Sequence, residues 1–251
     1  MIPENLPFQI RLAGRIMEIR PLYGEIRRWC RDYILPESAK PDIIITIAQP
    51  DIDREEAAVR REEEKSGIIC SHAPAYLETV AVYRKIATVM AEYRTVMMHG
   101  SVISTAGQGY MITAQSGVGK TTRTRLWTES VPDSFVVNGD KPLLQVTDSA
   151  VYAYGTPWCG KEGWNANTAV PLRAVFILER SDSGNSVTEM SFAEAFPLLL
   201  RQIYKPEDRD AKQRVLHLLK EMAGKVKVYR FCSEPTAEAV HSAWKAARDN
   251  R

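Results

Sequence analysis

Ala114-Gln115-Ser116-Gly117-Val118-Gly119-Lys120-Thr121 stands between an apolar run, Tyr110-Met111-Ile112-Thr113, and a helix-forming stretch, Thr122-Arg123-Thr124-Arg125-Leu126-Trp127. That order predicts strand, loop and helix, the setting in which a glycine-rich turn ending in Lys-Thr serves as a phosphate-binding loop, or P-loop. Successive backbone N–H groups from Gly117 to Thr121 then converge at the positive end of a helix, where an anion is held by the dipole and by donors with no intrahelical partner. Gly117 and Gly119 carry no Cβ, so the backbone can approach a phosphate closely. On this reading Lys120 bridges the β- and γ-phosphates and the Thr121 hydroxyl is a ligand for Mg²⁺. The nucleotide-binding set is Ser116, Gly117, Val118, Gly119, Lys120, Thr121 and Thr122. Ala114 takes the pattern's first place, where glycine is common. The chain is expected to bind a nucleoside triphosphate, with ATP and GTP not told apart by the loop.

A second acidic site decides what such a loop does. In Val136-Val137-Asn138-Gly139-Asp140-Lys141 an apolar strand ends on Asp140, twenty residues after Lys120. A carboxylate there can join the Mg²⁺ held by Thr121 or accept a proton from an attacking hydroxyl. Asn-Gly-Asp is also turn-forming in its own right, which is the competing explanation for the same residues. Glu179 ends another apolar run, Val175–Leu178, but Arg180 and Asp182 beside it favour a surface strand end. The chain has no Asn-Lys-x-Asp element for guanine and no Leu-Ser-Gly-Gly signature, so Ras-like GTPases and transporter ATPases are excluded as models.

Composition sets the frame around these motifs. The chain has 251 residues, of which 45% are hydrophobic and 25% charged, enough for a full core in one large or two smaller domains. A net charge of +2 gives no ground for a nucleic-acid partner or a membrane surface. Met1-Ile2-Pro3-Glu4-Asn5-Leu6-Pro7 has neither the basic nor the apolar region of a signal peptide, and no apolar stretch is long enough to span a bilayer. Cys30, Cys70, Cys159 and Cys232 are scattered and suggest neither a zinc site nor a disulfide framework. A cytoplasmic location is the expectation.

The chain divides near residue 93, into an N-terminal α+β segment (1–92) and a nucleotide-binding domain (93–251). In the first part, strands are expected at Phe8–Leu12, Ile16–Arg20 and Asp42–Ile47, with a helix over Leu22–Ile34. Asp51 to Lys65 is dense in both charges, with acids in excess, and is read as a solvated helix face or a mobile segment. Pro74 opens a helix whose buried stripe is Leu77, Val80, Tyr83, Ala87 and Met90. Further strands are expected at Thr95–Met98, Tyr110–Thr113, Phe135–Val137, Val151–Tyr154, Ala174–Leu178 and Lys227–Arg230. Helices are expected at Phe192–Tyr204, Arg209–Ala223 and Pro235–Arg248. Strands and helices alternate loosely, which implies a layered α/β domain.

His99-Gly100, the loop at 114–121 and the close-following Asp140 together resemble HPr kinase/phosphorylase and the wider phosphoenolpyruvate-carboxykinase-like kinases, over roughly residues 95–180. Asn138-Gly139-Asp140-Lys141-Pro142 and Tyr154-Gly155-Thr156-Pro157-Trp158-Cys159-Gly160-Lys161-Glu162-Gly163 resemble most an uncharacterised HPr-kinase-related branch. The resemblance implies an α/β P-loop kinase core with a mixed sheet, which transfers the γ-phosphoryl group of ATP, with Mg²⁺, to a serine hydroxyl. It implies His99 beside the phosphates and Asp140 on the metal or the hydroxyl. The family commonly has paired aspartates where this chain has Gly139-Asp140, which leaves a nucleotide-binding regulator or scaffold as the second reading. The acceptor stays open between a protein, a peptide and a small molecule, and the oligomeric state stays open with it.

The segment Gly160-Lys161-Glu162-Gly163 brackets a cation with glycines, so Lys161 is a candidate to swing over a phosphate and neutralise charge during transfer; the alternative is an ordinary surface turn. Trp158 and Trp164 are candidates to wall an acceptor or base pocket, against simple packing. Cys159 has no histidine partner in sequence and is not read as a nucleophile. Arg123 and Arg125 are balanced between phosphate contact and a solvated helix face.

Overall fold

A computed structural model of the chain describes residues 5–67, 72–181 and 184–249. Residues 1–4, Cys70 and Asp182, named above, lie outside the described residues. The chain divides into two compact units, Met1–Val89 and Met90–Arg251.

In the first unit, β1 (Phe8–Leu12) and β2 (Arg15–Arg20) form an antiparallel hairpin. Ala13 and Gly14 turn the corner with φ of 45° and 75°, the left-handed pair that a two-residue hairpin turn needs. α1 (Glu25–Trp29) follows, then β3 (Ile43–Thr46), which runs parallel to β2. α2 (Gln49–Ser66) and α3 (Pro74–Met90) complete the unit.

The helix expected over Leu22–Ile34 is reduced to α1 and a 3₁₀ turn at Arg31–Tyr33. The reason is Glu78 of α3, fully buried, whose carboxylate accepts hydrogen bonds from the backbone of Leu22, Tyr23 and Gly24. Those N–H groups are fixed on a side chain, and Gly24 enters α1 in the left-handed region.

The charged stretch after residue 50 is helix, and its face is not wholly solvated. Asp51 and Glu55 are buried, paired with Lys85 at 2.6 Å and Arg84 at 3.0 Å on α3. On α3 itself Leu77, Ala87 and Met90 are buried as the stripe requires. Ala81, Val82 and Ile86 are buried too, whereas Val80 and Tyr83 are half-buried, which rotates the inward face.

The second unit begins with β4 (Thr95–Met97), β5 (Ser101–Thr105), β6 (Gln108–Thr113), α4 (Lys120–Ser130) and β7 (Ser134–Asn138). It continues through β8 (Leu143–Val146), β9 (Val151–Tyr154), β10 (Ala169–Arg180) and β11 (Ser186–Glu189). α5 (Phe192–Gln202), α6 (Arg209–Ala223), β12 (Lys227–Ser233) and α7 (Ala237–Asp249) end it. Nine strands make one mixed sheet in the order β4-β8-β9-β10-β6-β5-β7, with β12 on β10 and β11 on β12. The fold is mixed α/β, with seven α-helices among the described residues.

β10 is the spine of this sheet. Its first residues pair antiparallel with β9, and from Leu172 onward it runs parallel to β6 and then to β12. Alternation along these strands feeds two cores. Met111, Val175, Ile177 and Val228 join Leu199, Val215 and Leu219 of α5 and α6 on one face. Tyr110, Ile112, Phe176, Tyr229 and Phe231 join Trp127 and Val240 of α4 and α7 on the other. Covering both faces is what a sheet with a parallel centre requires.

Candidate active site

β6 ends at Thr113 and α4 begins at Lys120, so loop 114–119 joins a buried parallel strand to a helix N-terminus. Gly117 and Gly119 have φ of 80° and 105°. A Cβ on Gly119 would lie 2.4 Å from the Arg123 guanidinium, so glycine is required there on two counts. Gly119 is the N-cap of α4, and no side chain caps that end. The first N–H groups of the helix therefore keep their donor capacity for a ligand. Ser116, Gly117 and Thr122 are exposed, while Val118, Gly119, Lys120 and Thr121 are half-buried.

Two arginines hold this loop. Arg123 is buried, donating from Nη2 to Ser233 O at 2.5 Å and from Nε to Ser233 Oγ at 3.3 Å, which ties α4 to the end of β12. It is neither a solvated helix residue nor free to reach a phosphate. Arg180 donates to Gly117 O at 2.7 Å. Arg125 instead lies 5.7 Å from the ring of Trp164.

Asp140 follows β7 and faces the loop from the neighbouring edge of the sheet. The backbone N–H groups of Asp140 and Lys141 donate to Asn138 Oδ1 at 2.9 and 2.8 Å. Asn138 in turn donates to Thr156 O at 3.0 Å. The turn chemistry of Asn-Gly-Asp and the placing of the acid are thus one device.

Around its carboxylate are His99 Nε2 at 3.3 Å, Lys120 Nζ at 3.8 Å and Lys141 Nζ in direct contact. Lys120 also donates to Gly139 O at 2.7 Å and Ser101 Oγ at 3.3 Å. His99 Nδ1 meets Gln202 Oε1 at 3.1 Å, and Gly100 N donates to Asp140 O at 2.8 Å.

Burial alone would raise the Asp140 carboxyl. The hydrogen bond from His99 and the charge and hydrogen bond of Lys141 outweigh it and hold the group well below the usual carboxylate range. Burial acts on Lys120 in the other sense, lowering it below the ordinary lysine value against the opposing pull of Asp140 and Glu162. A carboxylate so firmly ionised suits metal ligation and charge placement better than uptake of a proton.

Gly139 cannot be an acid in this chain. A Cβ there would lie 2.5 Å from the carbonyl oxygen of Cys159. The segment after β9 packs directly on it, with Gly139 N donating to Trp164 O at 2.8 Å and Lys141 N to Trp158 O at 3.1 Å. The two tryptophans hold the Asp140 turn through their main chains, and Trp158 itself is buried.

Gly160 to Gly163 is a tight turn closed by Gly163 N to Gly160 O at 3.2 Å, with φ of 81° and 67° at its two glycines. Lys161 is exposed at its tip. Gly160 presses on the site, since a Cβ there would lie 3.3 Å from Asp140 Cβ.

Ser101, Gln202, Lys141 and Glu162 belong to the same neighbourhood and were missed in the sequence. Ser101 adjoins a quoted motif and Lys141 and Glu162 lie inside two others, but nothing in spacing points to Gln202, 103 residues from its partner. Glu179 pairs with Arg230 at 3.3 Å on the surface, as expected of a strand end. Cys159 is buried and accepts from Asn165 at 3.2 Å.

No protein-family model matches the chain, and no curated protein matches it. Among solved structures it is similar to the Hpr(Ser) kinase/phosphatase from Coxiella burnetii, at 11% identity and a TM-score of 0.36, over 62% of this chain and 90% of that chain. No helix among the described residues is long and apolar enough to cross a membrane.

Proposed function

We propose that the chain is an ATP- and Mg²⁺-dependent kinase that transfers the γ-phosphoryl group to a hydroxyl. The observation that carries this reading is the meeting of Lys120 and Asp140 at 3.8 Å beside an uncapped helix N-terminus. The cradle suits a polyphosphate: its helical N–H groups are uncapped, and a Cβ at Gly117 would meet nothing within 4 Å, so the loop's face is open.

The residues also suit Mg²⁺, which takes one or two protein oxygens and fills its remaining positions with phosphate and water. Thr121 and Asp140 would supply those oxygens, and the described residues contain no larger cluster of metal ligands. When bound, Mg–ATP supplies the phosphoryl group and neutralises part of its own charge. Lys120 leaves its resting partners to meet the phosphates, the α4 N-terminus holds them, and Asp140 with His99 orients the acceptor hydroxyl. Lys161, at the tip of the turn against Asp140, is placed to add positive charge from the open side.

Lys120→Ala and Thr121→Ala test the reading directly. Each should reduce Mg–nucleotide binding or turnover by about a hundredfold or more while the circular dichroism spectrum is kept. Near-normal affinity and turnover in both variants would remove the loop from function.

The second reading, a nucleotide-binding regulator with little transfer, draws on Gly139 and on the low proton affinity of Asp140. Asp140→Asn separates the two. A kinase keeps Mg–nucleotide affinity within about tenfold and loses about a hundredfold in transfer. A regulator shows no transfer to lose.

A further inference from the structure

Two cavities flank the loop after β6, one on each side of Val118. The first, about 350 Å³, is walled by Val118, Ile177, Leu178 and Leu198, with Glu179 and Arg180 of β10 and Arg201 and Gln202 of α5 as its charged and polar lining. The second, about 290 Å³, is lined by Thr122, Arg123, Arg180, Ser181 and Ser233 and is polar.

The apolar cavity is wired to the acid. Gln202 is on its rim and meets His99 Nδ1 at 3.1 Å, and His99 Nε2 meets Asp140 Oδ1 at 3.3 Å. Thr113, which also lines it, donates to His99 O at 2.7 Å. Of the two cavities, the apolar one is thus joined through Gln202, Thr113 and His99 to Asp140, and the other shares none of these residues.

Resting on the kinase reading, we propose that the apolar cavity is the acceptor site and takes a small hydroxyl compound with an apolar body and an anionic end. Its volume is that of a small-ligand pocket, which spans about 300–1,000 Å³. A serine side chain presented by a folded protein would leave most of it empty. The apolar walls select the body of the molecule, and Arg180 and Arg201, two cations against the single acid Glu179, select its charge.

In the transfer, the acceptor oxygen forms a bond to the γ-phosphorus as the bond from that phosphorus to the β–γ bridging oxygen breaks. The leaving diphosphate keeps the electron pair. The hydroxyl proton passes to an oxygen of the transferred phosphoryl group, while Asp140 stays ionised and, with His99, orients the acceptor.

The probe is 1-anilinonaphthalene-8-sulfonate, an apolar body with one negative charge, titrated by fluorescence into the full chain. Wild type should bind one equivalent. Leu198→Trp, which fills the cavity, and Arg201→Ala, which alters only an exposed side chain, should each weaken that binding about tenfold or more, with Mg–ADP affinity within about threefold of wild type. With γ-labelled ATP and the size-separated fractions of a cell extract offered one at a time, the small-molecule fraction should yield a labelled compound distinct from ATP and inorganic phosphate with wild type and none with either variant.

Unchanged dye binding in both variants would overturn the assignment, as would label entering the protein fraction equally with wild type and Leu198→Trp. Loss of Mg–ADP affinity in Leu198→Trp would overturn it by giving the cavity to the nucleoside. Wild type that binds no Mg–ADP would overturn the kinase reading itself, a result separable from the others.

Discussion

Asp140 is a half-buried acid whose charge the fold itself stabilises. Its ionised form is held by His99, Lys120 and Lys141, so replacing it with asparagine leaves cations facing one another at a half-buried site. Asp140→Asn should cost about 1–3 kcal/mol of stability at pH 7. The sign of its pH dependence follows from a carboxyl held below its unfolded value. The contribution is full above about pH 4 and is lost as pH falls further, through the folded value. Urea unfolding of wild type and variant at pH 7, 5 and 3 should therefore show a gap that persists to mildly acid pH and narrows below it. A gap independent of pH would mean that the charge is not what the site holds.

At the scale of elements, the turns around the site are as specific as the strands. Gly155 follows β9, and a Cβ there would lie 1.9 Å from Ala166 O and 2.8 Å from Val137 O, both of them backbone atoms that no rotamer change can move. Gly155→Ala should cost about 3 kcal/mol or more, or yield no folded protein. Gly163→Ala meets nothing within 4 Å and pays only for φ of 67°, about 1–2 kcal/mol. Thermal unfolding of the two variants measures the difference, and equal losses would sink the distinction between crowding and backbone strain.

The same contrast explains what was legible in advance. The alternating run Phe8–Leu12 and the amphipathic stretch Arg209–Ala223 read correctly because a single face decides each of them. β5, β8 and β11 did not, because Ser101–Thr105 and Ser186–Glu189 are polar strands supported by their neighbours, and Leu143–Val146 is too short to show a period. The loop and Asp140 could be read as a local pattern. Ser101, Gln202 and the Arg123–Ser233 tie could not, since each depends on which strands lie side by side.

At the scale of the whole molecule, a net charge of +2 looks featureless, yet the sheet gathers its charges unevenly. The loop after β6 and the end of β7 bring Lys120 and Lys141 to one acid, Asp140, with Glu162 acting on Lys120 from the adjoining turn, while Arg123 and Arg180 hold the loop itself. Such convergence at the carboxyl ends of parallel strands is where open α/β sheets take their ligands. Among these charges Lys120 is tied to Asp140 and to Gly139 O. On the kinase reading, a bare triphosphate would meet a carboxylate of its own sign and a lysine already engaged, whereas one carrying a divalent ion would bring the charge that Asp140 accepts in exchange for releasing that lysine. On that reading, the pairing would act as a charge filter that favours metal-laden nucleotide over the naked anion. Calorimetry in the presence of a chelator should accordingly find that Asp140→Asn binds metal-free ATP about tenfold more tightly than wild type, even as its transfer fails.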